Sequence, residues 1–347
     1  MKKKSLVVKK TIHKSLLNHL KNNKVKKVFI SYKNQLDGLV NKENPIGVAI
    51  SGGPDSLALA YLTKCYCLKN NLISKFFIVD HKMRKESSIE AKIVKKKLNK
   101  FDINCKILKW NGSKPVSNIQ SIARNKRYEL LKKSCKKINI KHLLVGHHID
   151  DLYENFFIRL LRGSGLKGLS SFGETIRDED DFYILRPLIK FGKKELIYIS
   201  NLVFKFSVDD PSNVNFIFKR SRIRKLISEL KKEGLDLHKL DLTIKNLKIA
   251  NESINYYVKK NIKLNATFYE NKHTYILNNN FFKHPYEVLF RSVSTVLKKI
   301  GGKYYSPRGK SIYDSILIMK SKNFKKFTLG GCFIEKISET VFITREK

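Results

Sequence analysis

Between residues 46 and 60 an apolar run, Ile46-Gly-Val-Ala-Ile50, breaks into Ser51-Gly-Gly-Pro-Asp-Ser56 and then resumes with helical spacing. Strand, tight glycine-rich turn and helix in that order constrain the fold more than any other stretch. Gly52 and Gly53 carry no Cβ, so backbone N–H groups can curl around an anion. Pro54 fits the first turn of a helix whose N-terminus adds partial positive charge. The loop suits a phosphate. It is not the G-x-x-x-x-G-K-[ST] loop, because Asp55 stands before Ser56 where that pattern needs Lys. A carboxylate facing a polyphosphate alone would be repelled, so Asp55 implies a bound Mg²⁺. A plain N-cap at Ser51 or Asp55 would explain a lone S-G-x-D. It does not explain the full hexapeptide behind a buried strand.

The hexapeptide resembles the pyrophosphatase loop of the N-type ATP pyrophosphatases, and Pro in fourth place resembles the tRNA(Ile)-lysidine synthetases among them. The resemblance implies that Ser51, Gly52, Gly53, Pro54, Asp55 and Ser56 hold ATP, with Asp55 also the metal ligand. It implies cleavage between the α and β phosphates and adenylation of a second substrate. From Pro45 onward, short apolar runs at 46–50, 76–80, 103–109 and 141–146 alternate with longer segments of 3.6-residue period. Strands alternating with helices predict an α/β fold with a doubly wound parallel sheet, whose ligands bind beyond the carboxyl ends of the strands. The resemblance makes this a Rossmann-like PP-loop ATPase domain. The other motifs follow such strand ends in order.

Val79-Asp-His-Lys-Met-Arg84 follows the second run, where Asp80 can cap a turn. The family's V-D-H-x-[LM]-R places His81 and Arg84 in the nucleotide pocket. On a helix running to about residue 137, Arg124 and Arg127 share a face. They resemble the family's A-R-x-x-R-Y, whose arginines point into the site, and a permanently charged bidentate donor suits phosphate or carboxylate. Gly146-His-His-Ile-Asp-Asp-Leu-Tyr-Glu154 sets Asp151 and Glu154 at i and i+3 of a helix start. Capping would account for one Asp and the Glu, but not for paired histidines beside paired aspartates. The family pattern H-H-x-D-D-x-x-E implies that His147 and Asp151 serve adenylation and that Asp151 and Glu154 hold lysine. Arg159-Leu-Leu-Arg-Gly-Ser-Gly-Leu-Lys-Gly-Leu169 resembles the family's R-L-L-R-G-S-G-x-x-G-L. Its Arg162, Gly163, Ser164 and Gly165 form a flexible basic loop compatible with an RNA backbone or an ATP phosphate. Leu185-Arg-Pro-Leu188 resembles a family R-P-L, and 208–213 a D-x-S-N turn. The cluster Arg220, Arg222 and Arg224 keeps a basic face, with Ser221 standing where the family has Asn.

A chain of 347 residues with a formal charge of +41 has room for two domains and points to a polyanionic partner. Lys abundance beside Asn and Ile is also what an AT-rich genome imposes. Five cysteines without a CxxC fit a reducing cytoplasm and argue against a zinc or iron-sulfur site. The N-terminus has no secretory pattern, no run spans a membrane, and a cytoplasmic location is expected. The expected layout is a basic helical lead-in (1–44), a catalytic domain (45–235), a helical connector (236–265) and a small α+β domain (266–347) gripping tRNA. The implied activity adenylates the wobble cytidine of tRNA(Ile) with a CAU anticodon and then joins free L-lysine to it, consuming ATP. A related tRNA thiolase is the alternative within the superfamily, and a non-catalytic RNA-binding protein the alternative outside it.

Overall fold

The computed structural model describes residues 2–40, 44–82, 86–112, 119–173, 175–177, 181–208, 219–303, 306–321 and 324–346. The chain divides into two compact units, Met1–Leu235 and Asp236–Lys347.

The first unit opens with α1 (Lys2–Asn18) and α2 (Asn23–Asp37). The Asn22 side chain caps α2 by accepting from Lys24 and Val25 N–H. Leu16, Val25, Tyr32 and Leu36 are buried in the same core as the sheet, so this lead-in is part of the unit's core. β1 (Ile46–Ile50), α3 (Pro54–Asn70), β2 (Ser74–Asp80), α4 (Ser87–Asn99), β3 (Cys105–Lys109), α5 (Ile119–Lys136) and β4 (His142–Leu144) follow. Then come α6 (Ile149–Leu160), α7 (Leu166–Leu169), β5 (Thr175–Arg177), β6 (Tyr183–Leu185), α8 (Lys193–Phe204) and α9 (Lys219–Lys232).

The strand order is β3-β2-β1-β4-β6-β5. All pairings are parallel except β5 with β6. Order reverses between β1 and β4, which puts the crevice beyond their carboxyl ends at the topological switch point. β1 lies mid-sheet and is buried on both faces, which is why it reads as a continuous apolar run rather than an alternating one. α3 is buried from Ser56 to Cys67 except at the half-buried Lys64, which pairs with Asp102, and it packs on β1 and α8, so its sequence is apolar on nearly every face. The edge hairpin of β5 and β6 is not foreseen in the sequence: each strand has three residues, too few for a period-2 pattern to register. α7 adds a helical turn, capped by Gly165, inside the stretch read as a loop.

The second unit carries α10 (Leu237–Asn265), β7 (Ala266–Tyr269), β8 (Thr274–Leu277), α11 (Tyr286–Gly301), α12 (Gly309–Lys320), β9 (Lys326–Leu329), β10 (Cys332–Ile337) and β11 (Thr340–Arg345). Its sheet is antiparallel, in the order β7-β8-β11-β10-β9, and encloses a core of its own around Leu277, Phe281, Val293, Leu297, Ile334 and Val341. α10 joins that core through Asn261, whose Nδ2 donates to the Phe281 carbonyl and the Ser292 hydroxyl. The five cysteines are free and buried. Burial pushes the Cys65, Cys105 and Cys135 thiols up to about 12, and those of Cys67 and Cys332 to about 11. Among the described residues no helix is long and apolar enough to cross a membrane.

Candidate active site

The loop after β1 closes on one hydroxyl. Ser56 Oγ accepts from the backbone N–H groups of Ser51 (3.1 Å) and Gly52 (3.2 Å), and donates to the Gly53 carbonyl at 2.9 Å. Gly52 has φ +92°, and a Cβ there would sit 2.7 Å from Val94 Cγ2, so only glycine fits the bend. Gly53 is the N-cap of α3 and supplies no side-chain cap, with Pro54 at the first position. The helix therefore begins with its dipole uncapped, which is the arrangement that receives anions. Gly146, after β4, has its Cα against this turn: a Cβ would lie 3.2 Å from Asp55 C and from Ser56 N and Cα. β4 is thus brought up to the loop by an approach closer than most Cβ contacts.

That approach delivers His148. The ring is 4% exposed, with Nε2 at 3.6 Å from both Asp55 Oδ2 and Asp151 Oδ2, and Nδ1 at 3.3 Å from Asp150 Oδ2. Burial alone would push its pKa down, but the Asp150 and Asp55 contacts and the Asp151 charge push it up to about 10. His148 is an imidazolium at neutral pH. Asp55 Oδ1 is buried with no hydrogen-bond partner. Asp151 Oδ2 accepts the His148 N–H at 3.0 Å, closing a capping box at the start of α6. The cap therefore belongs to Asp151, and Glu154 is free of it.

His147 points to different neighbours. Arg186, beyond β6, is 1% exposed and donates from Nε to His147 Nδ1 (3.2 Å) and from Nη1 to the Gly173 carbonyl (2.6 Å). Its guanidinium lies 4.2 Å from the Phe172 ring centroid, and Phe172 meets the imidazole edge-on at 5.5 Å. Burial pushes His147 down to about 3; Asp151 opposes this, and Arg186, Arg124 and Arg220 add to it.

Glu154, 3% exposed on α6, accepts from Arg224 Nε at 2.5 Å through Oε1, while Oε2 is buried without a hydrogen-bond partner. Burial raises its pKa, against the Arg224 hydrogen bond. Arg224 in turn feels the charges of Asp151 and Asp55, so α9 closes onto the same cluster. Arg220 is half-buried on α9, Arg222 is exposed, and Ser221 is buried. On α5, Arg124 stacks over Tyr128 at 5.3 Å, while Arg127 Nε donates to His81 Nε2 at 3.1 Å. Burial and the Arg127 charge push His81 down to about 4. Asp80 is the turn cap, accepting from Lys82 N–H and the Ser87 and Ser88 hydroxyls. Arg84 and the 209–213 turn lie outside the described residues. Arg162 is exposed at the end of α6, within charge range of Arg159, and nothing lies within 4 Å of a Cβ built on Gly163 or Gly165.

The loop, Asp55, His147, Asp151, Glu154, Arg124, Arg220 and Arg224 thus gather at the switch point, with His81 and Arg127 at the end of β2. Two participants were passed over in the sequence. His148 stood beside His147 with nothing to rank the pair, and the carboxylates around one ring and the arginine at the other decide it. Arg186 sat in a short R-P-L with no partner in sequence.

Residues 17–230 match the PP-loop domain family. Over 322 residues the chain is 30% identical to a tRNA(Ile)-lysidine synthase of a Wolbachia sp. of Brugia malayi, covering 91% of this chain and 74% of that one. A tRNA(Ile)-lysidine synthase of Orientia tsutsugamushi is 32% identical over 320 residues, 88% and 70% of the two chains. Among solved structures the U34-tRNA thiolase NcsA of Methanococcus maripaludis superposes with a TM-score of 0.54, 67% of this chain and 79% of that one, at 19% identity. That last likeness is one of fold.

Proposed function

The chain belongs to the tRNA(Ile)-lysidine synthase family of PP-loop enzymes, and from that premise we propose that it uses ATP to join free L-lysine to carbon 2 of the wobble cytidine in a tRNA(Ile) with a CAU anticodon. The observation that carries the reading is the uncapped start of α3 beside a buried, unpartnered Asp55 carboxylate oxygen, a receptor for a polyphosphate and its counter-cation. In the first step the cytidine carbonyl oxygen at carbon 2 attacks the α phosphate and pyrophosphate leaves. The α3 N-terminus and the Arg124 and Arg127 guanidiniums stabilise the charge that develops. Asp55 Oδ1 fits a Mg²⁺ ligand, and a magnesium ion bound there would neutralise charge on the phosphates. His81 and Arg84 belong to the nucleotide side, and Arg162 to Gly165 with Arg220 and Arg222 to the tRNA side.

In the second step the lysine ε-amine attacks carbon 2 and AMP departs. An amine of pKa ~10.4 is neutral only about once in 10³ at neutral pH, so it must lose a proton in the site. Three groups compete for that task. Asp151 is engaged with the His148 N–H, and His147 Nδ1 is taken by Arg186. Glu154 Oε2 is unpartnered on a carboxylate whose pKa burial raises, and it is the group we assign to receive the amine. Buried thiols without a CxxC pair give a thiolase no sulfur relay.

The test is AMP release from ATP with an unmodified tRNA(Ile) transcript. The expected result is release that requires L-lysine, with a cytidine heavier by one lysine less one water. Release driven by a sulfur donor instead would overturn the reading.

A further inference from the structure

The guanidinium of Arg186 is a donor at every nitrogen and an acceptor at none. Its Nε–H lies 3.2 Å from His147 Nδ1, so Nδ1 carries the lone pair and the neutral imidazole carries its proton on Nε2. Protonating Nδ1 would set two N–H groups against each other. The arginine has little freedom to yield, since the Gly173 carbonyl holds Nη1 at 2.6 Å and the Phe172 ring covers its face at 4.2 Å. Phe172 also meets the imidazole edge, so one buried clamp, built from the end of β6 and the residues before β5, holds both. The charges facing His147 are Asp151 on α6, Arg186 beyond β6, Arg124 on α5 and Arg220 on α9, three cations against one carboxylate.

We propose that Arg186 is a positioning residue that fixes His147 as the Nε2–H tautomer, so that His147 meets the substrate as a hydrogen-bond donor and not as a proton acceptor. This rests on the adenylation reading of the site. The recipient is an anionic oxygen at the reacting phosphate, where a neutral donor stabilises developing charge without moving a proton. The proton of the lysine amine then goes to Glu154.

Full-length protein labelled with ¹⁵N at histidine reports the tautomer directly through long-range proton–nitrogen correlations, with His147→Gln identifying the resonance. In the wild type, His147 keeps the Nε2–H pattern from pH 8 to pH 5. In Arg186→Met it exchanges tautomers, and its pKa rises while burial and the Arg124 and Arg220 charges still hold it below the ordinary ~6.5. Arg186→Lys, whose ammonium can still donate to Nδ1, restores most of the wild-type pattern. Adenylation separates donor from base: His147→Gln keeps an amide N–H near the Nε2 position and loses about tenfold, while His147→Ala loses ~10² or more. Equal losses in Gln and Ala, or a wild-type His147 protonated at Nδ1, would overturn the proposal, and the latter measurement needs only the assigning His147→Gln variant to fold. If the tautomer is fixed as stated but AMP release does not depend on lysine, the clamp stands and it is the proposed function that fails.

Discussion

Among the described residues two arginines are almost wholly buried, one in each unit, and their surroundings differ in kind. Arg291, 3% exposed on α11, donates to Glu287 one turn earlier and to the Asn251 and Asn255 amides of α10. Its charge is balanced inside the unit, and what it secures is the register of two helices. Arg186, 1% exposed, has a histidine, a carbonyl and an aromatic face, and its hydrogen bonds reach no carboxylate. Keeping a cation buried with no carboxylate in hydrogen-bond contact, and only the Asp151 charge offsetting it, costs free energy that packing alone would not require. A narrower contrast runs through the unpartnered buried atoms. Asp55 Oδ1, His81 Nδ1 and Glu154 Oε2 lie around the strand ends of the first unit, while Gln35 on α2, His142 at the start of β4, Ser200 on α8 and Arg291 on α11 also hold unpartnered buried atoms. Among the described residues the carboxylate oxygens so left are those of Asp55 and Glu154, and both lie at the candidate site.

The strongest way to break that comparison is Asp55→Asn. It keeps shape and removes the charge on the atom left without a partner, so adenylation falls by at least ~10², the scale of losing a key charge-stabilising group. The affinity for tRNA stays near wild type. Normal ATP turnover with lost tRNA binding would remove Asp55 from the metal and the pyrophosphate.

Glu154→Gln comes next. The substitution leaves an acceptor for Arg224 but weakens a charge-assisted contact worth ~1.5–3 kcal/mol, so the lysine concentration for half-saturation rises about tenfold or more. The ATP requirement moves much less. Asp151 already caps α6, so a change confined to the melting temperature would mean that Glu154 serves only to anchor Arg224 and that lysine is held elsewhere.

The sheet and the phosphate loop were legible because both rest on local rules. A strand buried on both faces shows as an unbroken apolar run, and a turn needing φ +92° shows as Gly52. The residues that gather at the switch point were legible as motifs, each at a strand end, but not their division of labour. Asp151 and Glu154 look equivalent at i and i+3, yet one is drawn to its own helix and the other to Arg224 on α9, seventy residues away. His148 outranks His147 as the cation because it meets Asp150 and Asp151 on its own helix and Asp55 on the α3 turn about ninety residues away, while His147 meets Arg186. Arg186 was invisible as a site residue because its meaning lies wholly in His147, Phe172 and Gly173. The β5–β6 hairpin and α7 were too short for any period to announce them.

The smallest expected effect concerns charge. Residues 236–347 hold 21 Lys and Arg against nine Asp and Glu, a net +12 of the chain's +41, close to their share of its length. Positive charge is therefore spread evenly, and the second unit is not the basic half of the molecule. If it grips tRNA it does so by shape and a few phosphate contacts, and each contact contributes roughly 0.7 to 0.9 to the slope of log affinity against log salt. Each unit has its own buried core, so a chain ending after Leu235 is expected to fold and bind ATP. Its tRNA affinity should fall about tenfold, and its salt slope should become shallower by about one to two, with most of the slope retained by the first unit. A fragment that folds, binds tRNA more weakly and keeps the full-length slope would mean that the second unit contributes no phosphate contact. A fragment that melts early would mean that its role is to stabilise the first unit, and the even spread of charge would then reflect the Lys-rich composition of the whole chain rather than tRNA binding.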